Sequence, residues 1–162
     1  MAIGHQSLYF NTIGSANTGI GTNSLYNNTT GGNNIGIGNG ALQNNTTGNN
    51  SVALGTQSLI QNTTGSSNTA FGYQSATQNS TGNNNTSMGY QAMNSSTLSN
   101  GTAVGYKALY TNTSGNENCA IGSQALLSNT TGSFNTACGS YALQSSNQNN
   151  NTACGYKAGL LF

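Results

Sequence analysis

Apolar and small residues recur along this chain in a fixed frame around one glycine: Gly4, Gly21, Gly38, Gly55, Gly72, Gly89, Gly105, Gly122, Gly139 and Gly155. The steps are 17 residues, except Gly89 to Gly105 and Gly139 to Gly155, which are 16. A period held from end to end marks a repeat architecture. Just before the glycine stand Ile3, Ile20, Ile37, Leu54, Phe71, Met88, Val104, Ile121, Cys138 and Cys154. Two before it the residues are small: Ala2, Gly19, Gly36, Ala53, Ala70, Ser87, Ala103, Ala120, Ala137 and Ala153. Three before it are mainly Thr18, Ile35, Val52, Thr69, Thr86, Thr102, Cys119, Thr136 and Thr152, and four after it Leu8, Leu25, Leu42, Leu59, Ala76, Met93, Leu109, Leu126 and Leu143. Large, small, β-branched is the two-residue alternation of a strand with one face inward. This reading puts the large and the Thr columns inward and the small column outward.

A helix of this content would lose ~1 kcal/mol at each of its many glycines. Between the strand segments lie NTTG corners, Asn28 to Gly31, Asn45 to Gly48, Asn62 to Gly65 and Asn129 to Gly132, with NSTG and NTSG variants. Asn and Gly tolerate the positive φ of a tight corner. The pattern predicts an all-β chain: a parallel β-solenoid of about ten 17-residue coils, each with two short strands, forming one repeat domain over residues 1–162. One coil cannot bury its own apolar face, whereas stacked coils share a continuous narrow core. Few large apolar residues enter per coil, so backbone ladders and the Asn column at Asn17, Asn34, Asn68, Asn85, Asn118, Asn135 and Asn151 must carry much of the order.

Composition narrows the chemistry. The only charged side chains are Lys107, Lys157 and Glu117, with His5 the lone imidazole and a net charge of +1. In a register-locked stack a charge at a repeated position would face its own copy ~4.8 Å away, at a cost of about 1 kcal/mol even in water. No basic surface exists for phosphate backbones, which argues against nucleic-acid binding. No apolar run approaches the length of a membrane span. "MAIG" enters a repeat directly, without a basic or apolar leader, as expected where a leader has been removed or the chain is part of a larger protein.

Enzymatic chemistry finds no purchase. General acid–base pairs need two titratable groups, and there is one Glu, no Asp and one His. Calcium-binding turns would need repeated Asp, and the GK[ST] ending of a phosphate-binding loop does not occur. No catalytic, metal or cofactor-binding residue is therefore expected, and no cofactor. Cys119, Cys138 and Cys154 lack C-x-x-C spacing and read as small buried hydrophobes, with a disulfide between stacked coils as the sharper alternative. His5 reads as a surface residue, and Lys107 and Lys157 as solvated. Tyr73, Tyr90, Tyr106 and Tyr156 share one column, read as a structural ladder ahead of a sugar-stacking stripe.

Three features point toward function. Asn28, Asn45, Asn62, Asn79, Asn112 and Asn129 open N-x-[ST] sequons at one corner of the coils, candidate glycosylation acceptors in a eukaryotic secretory context, and the Thr-rich corners offer O-glycan acceptors as well. The small residues Ala2, Gly19, Gly36, Ala53, Ala70, Ala103, Ala120, Ala137 and Ala153 make a smooth strip that another sheet would approach closely, a candidate assembly surface. The chain also starts mid-repeat with "AIG" and stops mid-repeat with "YKAGLLF", without polar caps, and open strand edges favour end-to-end addition.

"NSVALGTQS" (Asn50 to Ser58), "NTAFGYQS" (Asn68 to Ser75) and "NTACGSYA" (Asn135 to Ala142) resemble the repeats of trimeric autotransporter adhesin heads and of phage tail-fibre-like surface proteins. The Gln/Asn/Gly repeats of curli-type amyloid subunits are a weaker likeness. The adhesin resemblance implies a left-handed parallel β-roll, three chains side by side, at a cell surface; this chain differs by its longer repeat and its NTTG corner. The expectation is a structural subunit of an extracellular fibre or filamentous surface appendage, a homo-oligomer assembling by coil stacking. The alternative is a binding module for glycans or, with the Thr column turned inward, less readily for ice.

Overall fold

The computed structural model describes residues 1–160, so the last two residues of the YKAGLLF ending lie outside it. Ten short strands follow one another: β1 (Ala2–Ile3), β2 (Thr18–Ile20), β3 (Ile35–Ile37), β4 (Val52–Leu54), β5 (Thr69–Phe71), β6 (Thr86–Met88), β7 (Thr102–Val104), β8 (Cys119–Ile121), β9 (Thr136–Cys138) and β10 (Thr152–Cys154). They form one parallel sheet in sequence order, the wall of a β-solenoid with one coil per repeat. Every strand pairs with its copy one repeat on, as Thr69, Ala70 and Phe71 do with Thr86, Ser87 and Met88. The 16-residue steps keep this register, Thr86 pairing with Thr102 and Thr136 with Thr152. The missing residue is absorbed in the corner, where the carbonyls of Leu98 and Gln148 replace that of the corner glycine as acceptors for Asn85 and Asn135.

Each coil carries one strand, not the expected two. In a typical coil Gln57, Leu59 and Ser67 sit at φ of 59°, 49° and 58°. Such left-handed residues turn the backbone amides alternately up and down the stack. Gln57 N–H donates to Asn39 in the preceding coil, Leu59 N–H to Ser75 in the next, and Ser67 N–H back to Asn49. An extended run cannot persist across these reversals, yet the backbone still bonds between coils. The corner asparagine and glycine were expected to hold the positive φ and do not. A corner glycine is needed for room instead: a Cβ on Gly48 would lie 2.5 Å from Asn45 Oδ1 and 3.0 Å from Asn62 Nδ2.

The interior corrects the expected facing of the strands. Leu25, Leu42, Leu59, Met93, Leu109, Leu126 and Leu143 are fully buried, as predicted, and stack into the core. The strand residues that meet them are the small ones. Gly19, Gly36, Ala53, Ala70, Ala103, Ala120, Ala137 and Ala153 are buried, with Ser87; of that column only Ala2, on the first rung, is exposed. The cause is width. A Cβ added at Gly36 would already stand 2.7 Å from Ser24 Oγ and 3.3 Å from Leu25 Cγ. Once leucine fills the corner, nothing larger than alanine or serine fits opposite it. The small column is therefore core and not a surface strip, and the large and Thr columns face outward.

Asparagine closes the polar part of the interior. Asn34 Nδ2 donates to Gly48 O at 2.7 Å and its Oδ1 accepts from Ser51 N–H at 2.9 Å, so one amide clamps two positions of the next coil. Asn68 and Asn118 repeat the arrangement. The expected Asn column is present, bonded to the neighbouring coil's backbone more than to its own copies.

Candidate functional site

The sequon asparagines are inside the corner. Asn28, Asn45, Asn62, Asn79, Asn112 and Asn129 are each at most 2% exposed. Asn45 Nδ2 spends both hydrogens, on Asn28 Oδ1 at 2.7 Å and on Gly48 O at 3.0 Å. Asn62 Nδ2 does the same with Asn45 Oδ1 and Gly65 O. In Asn79, Asn112 and Asn129 the Oδ1 turns to accept its own corner glycine's N–H. A transferase needs that nitrogen accessible, and a glycan on it would break the corner, so these residues are withdrawn as acceptor sites in the folded chain. Expressed through a eukaryotic secretory route, the folded fraction is expected to carry no glycan at Asn45 or Asn62. Peptide mass spectrometry after enzymatic deglycosylation in heavy-oxygen water reads this directly.

What the solenoid does present is the outer face of its sheet. Each strand from β2 to β10 sends its first and third residues outward: Thr18 and Ile20, Ile35 and Ile37, Val52 and Leu54, Thr69 and Phe71, Thr86 and Met88, Thr102 and Val104, Cys119 and Ile121, Thr136 and Cys138, Thr152 and Cys154. Phe71, Met88 and Ile121 are 48%, 42% and 43% exposed. The strip runs about 38 Å along eight strand steps with its two columns about 7 Å apart. That is on the order of several hundred Å² of low-polarity surface, the size that marks interaction sites. No charged side chain belongs to either column.

One flank of the strip is lined by stacked side chains. Tyr73, Tyr90 and Tyr106 stack with ring centroids 5.5 Å apart and nearly parallel, and Tyr141 meets Tyr156 edge-on. The predicted ladder is thus present over Tyr73, Tyr90 and Tyr106, but Tyr156 is not part of it: Ser123 and Ser140 hold the intervening rungs, and its contact, Tyr141, belongs to another column. Beside the ladder Gln91 donates to Gln74 and Gln74 to Gln57, both at 2.8 Å. Lys107 Nζ lies 5.4 Å from the ring centres of Tyr106 and Tyr110, and Lys157 Nζ 5.2 Å from Tyr156, so both cations sit against aromatic faces, Lys107 half-buried and Lys157 exposed. His5 is exposed, as read from the sequence.

The cysteines lie on the outer face, which corrects their reading as core residues. Cys119 and Cys138 are half-buried, Cys154 is exposed, and all three are free thiols. The same reversal applies to the Thr column, which looks outward rather than in. Among the described residues no cavity opens, no three His, Cys, Asp or Glu side chains converge as metal ligands, and no helix is long and apolar enough to cross a membrane. Comparison with family models, with curated proteins and with solved structures gave no match.

Proposed function

We propose that this chain is structural material: a stiff rod in an extracellular fibre or surface appendage, joined laterally to further copies of itself through the outer face of its sheet. The observation that carries the reading is that this uncharged, low-polarity face repeats once per coil over β2 to β10. A second copy has the same ~4.8 Å rung spacing, so its side chains interdigitate along the whole strip. A non-periodic partner would match at only a few rungs. Neither face carries charge, so two copies meet without like-charge repulsion. The small-residue column no longer serves assembly in this reading; coil stacking supplies the stiffness and the outer columns the contact.

The test is the pair Thr86→Lys and Met88→Lys on one rung. Both positions point outward, so circular dichroism and melting are expected to stay within ~0.5 kcal/mol of the parent. Sedimentation at rising concentration is expected to show assemblies for the parent and monomers for the variant. A parent that stays monomeric at high concentration would overturn lateral assembly. A second reading gains from the facing of the Thr column: Thr69, Thr86 and Thr102 present hydroxyls outward on three successive rungs, β5 to β7. An ice-recrystallisation assay tests that surface as a binder of ordered water, and clear inhibition by the monomer would replace the structural reading.

A further inference from the structure

Cys138 and Cys154 are the third residues of β9 and β10 and direct partners in the parallel ladder. In-register neighbours on one sheet face project side by side at the strand spacing, ~4.8 Å. That spacing suits a disulfide poorly, since its Cβ atoms must approach to about 3.5–4.5 Å. It suits a different link well. Two thiolates joined through one metal ion in a line, at about 2.3 Å per metal–sulfur bond, need their sulfurs about 4.6 Å apart.

We propose that Cys138 and Cys154 form a two-thiolate seat for a single soft metal ion of the copper(I) class. The ligand count selects the ion. With no third His, Cys, Asp or Glu converging among the described residues, a tetrahedral ion lacks ligands. Thiolates select soft cations such as copper(I), and that ion is satisfied by two ligands in a line. Cys119 stands one rung away from Cys138 and in the other column, partnering Thr136, so it is off the line. Access is direct, because the pair lies on the outer face. The step is ligand exchange without redox change: two S–H bonds break, two protons pass to solvent, two S–Cu bonds form, and copper stays copper(I).

The experiment is anaerobic competition for copper(I) against a coloured chelator, on the dilute 162-residue chain, with the stoichiometry read by native mass spectrometry. One copper per chain is expected, retained in Cys119→Ser. Cys138→Ser and Cys154→Ser are each expected to weaken retention by about 100-fold or more, the usual worth of making a second contact intramolecular. Equal retention in all four proteins, or loss in Cys119→Ser, would overturn the seat. A second measurement asks about geometry. After incubation with oxidised glutathione and removal of mixed disulfides by size-selected mass analysis, no Cys138–Cys154 bridge is expected; rapid, complete loss of two hydrogens across that pair would show that the rungs close to disulfide distance and would overturn the linear seat.

Discussion

Gly72→Ala is expected to open the stack in its middle. Gly72 sits at φ +130°, where an L-residue is strained, and its added Cβ would stand 2.6 Å from the carbonyl oxygen of Gly89 in the next coil. The strain alone is worth about 1–3 kcal/mol. The clash is with backbone and cannot be relieved by a side-chain rotation; it must push two coils apart and lengthen the bonds on either side. A total on the order of 3 kcal/mol or more is expected, at the upper end for single substitutions. Hydrogen exchange is the sharpest readout, because a solenoid breaks locally: amides of the coils flanking Gly72 should lose protection first. Gly40→Gln is the control. Gly40 also has positive φ, at +66°, but its nearest contact would be the flexible end of Gln43, and Gln57 and Gln74 hold the same column position at φ of 59° and 53°. That substitution should change stability by less than about 1 kcal/mol, since the strain is offset by the lost freedom of the unfolded glycine. Equal melting of the two variants would refute the backbone-contact account.

Asn34→Ala is expected to cost about 2–4 kcal/mol, the penalty of leaving a buried donor and part of a buried acceptor unpaired. Ser51 N–H would lose its only side-chain acceptor, while Gly48 O would keep the bond from Asn45 Nδ2 at 3.0 Å. The chain contains its own rescue experiment. In the next coil the same position is Ser51, whose Oγ accepts from Asn68 N–H at 3.2 Å. Asn34→Ser should therefore recover roughly half of the loss, visible as a denaturation midpoint between those of the parent and the alanine variant. If serine were no better than alanine, the inter-coil clamp would not be what the asparagine column supplies.

These two positions also show what was legible beforehand. The period, the parallel stacking, the buried Leu column and the Asn column all follow from spacing. Alternation also announced that the strand has two faces. It did not say which face is inside, because that is decided by what stands opposite. The opposing Leu59 enters the core from a backbone at φ 49°, a region that large L-residues rarely visit and that no propensity assigns to leucine. Given that corner, the Cβ of a strand alanine is as much as the interior admits, and the larger Phe71 and Met88 are turned out. The outer strip, its hydroxyls and its thiols were hidden by this one inversion. The sequons misled for a related reason. NTTG has the composition of a wet turn, but Asn45 folds its amide under the corner, where Asn28 and Gly48 saturate it.

The left-handed residues have a further consequence, for the time course of folding. Each coil holds about three non-glycine residues in that conformation, as Gln57, Leu59 and Ser67 do, and each disfavours the isolated coil by roughly 1–2 kcal/mol. Little within a coil offsets this: Leu59 O accepts Asn62 N–H from its own coil, but the amides of Gln57, Leu59 and Ser67 all donate to the coils above and below. A first coil therefore has no stable existence, and the rate-limiting event is the meeting of several at once. After that, every added coil finds its partners already in place. Such a chain should show a long lag and rapid extension, and once complete it should release its coils slowly, so that its persistence rests on the height of the barrier to dismantling as much as on the depth of the folded well.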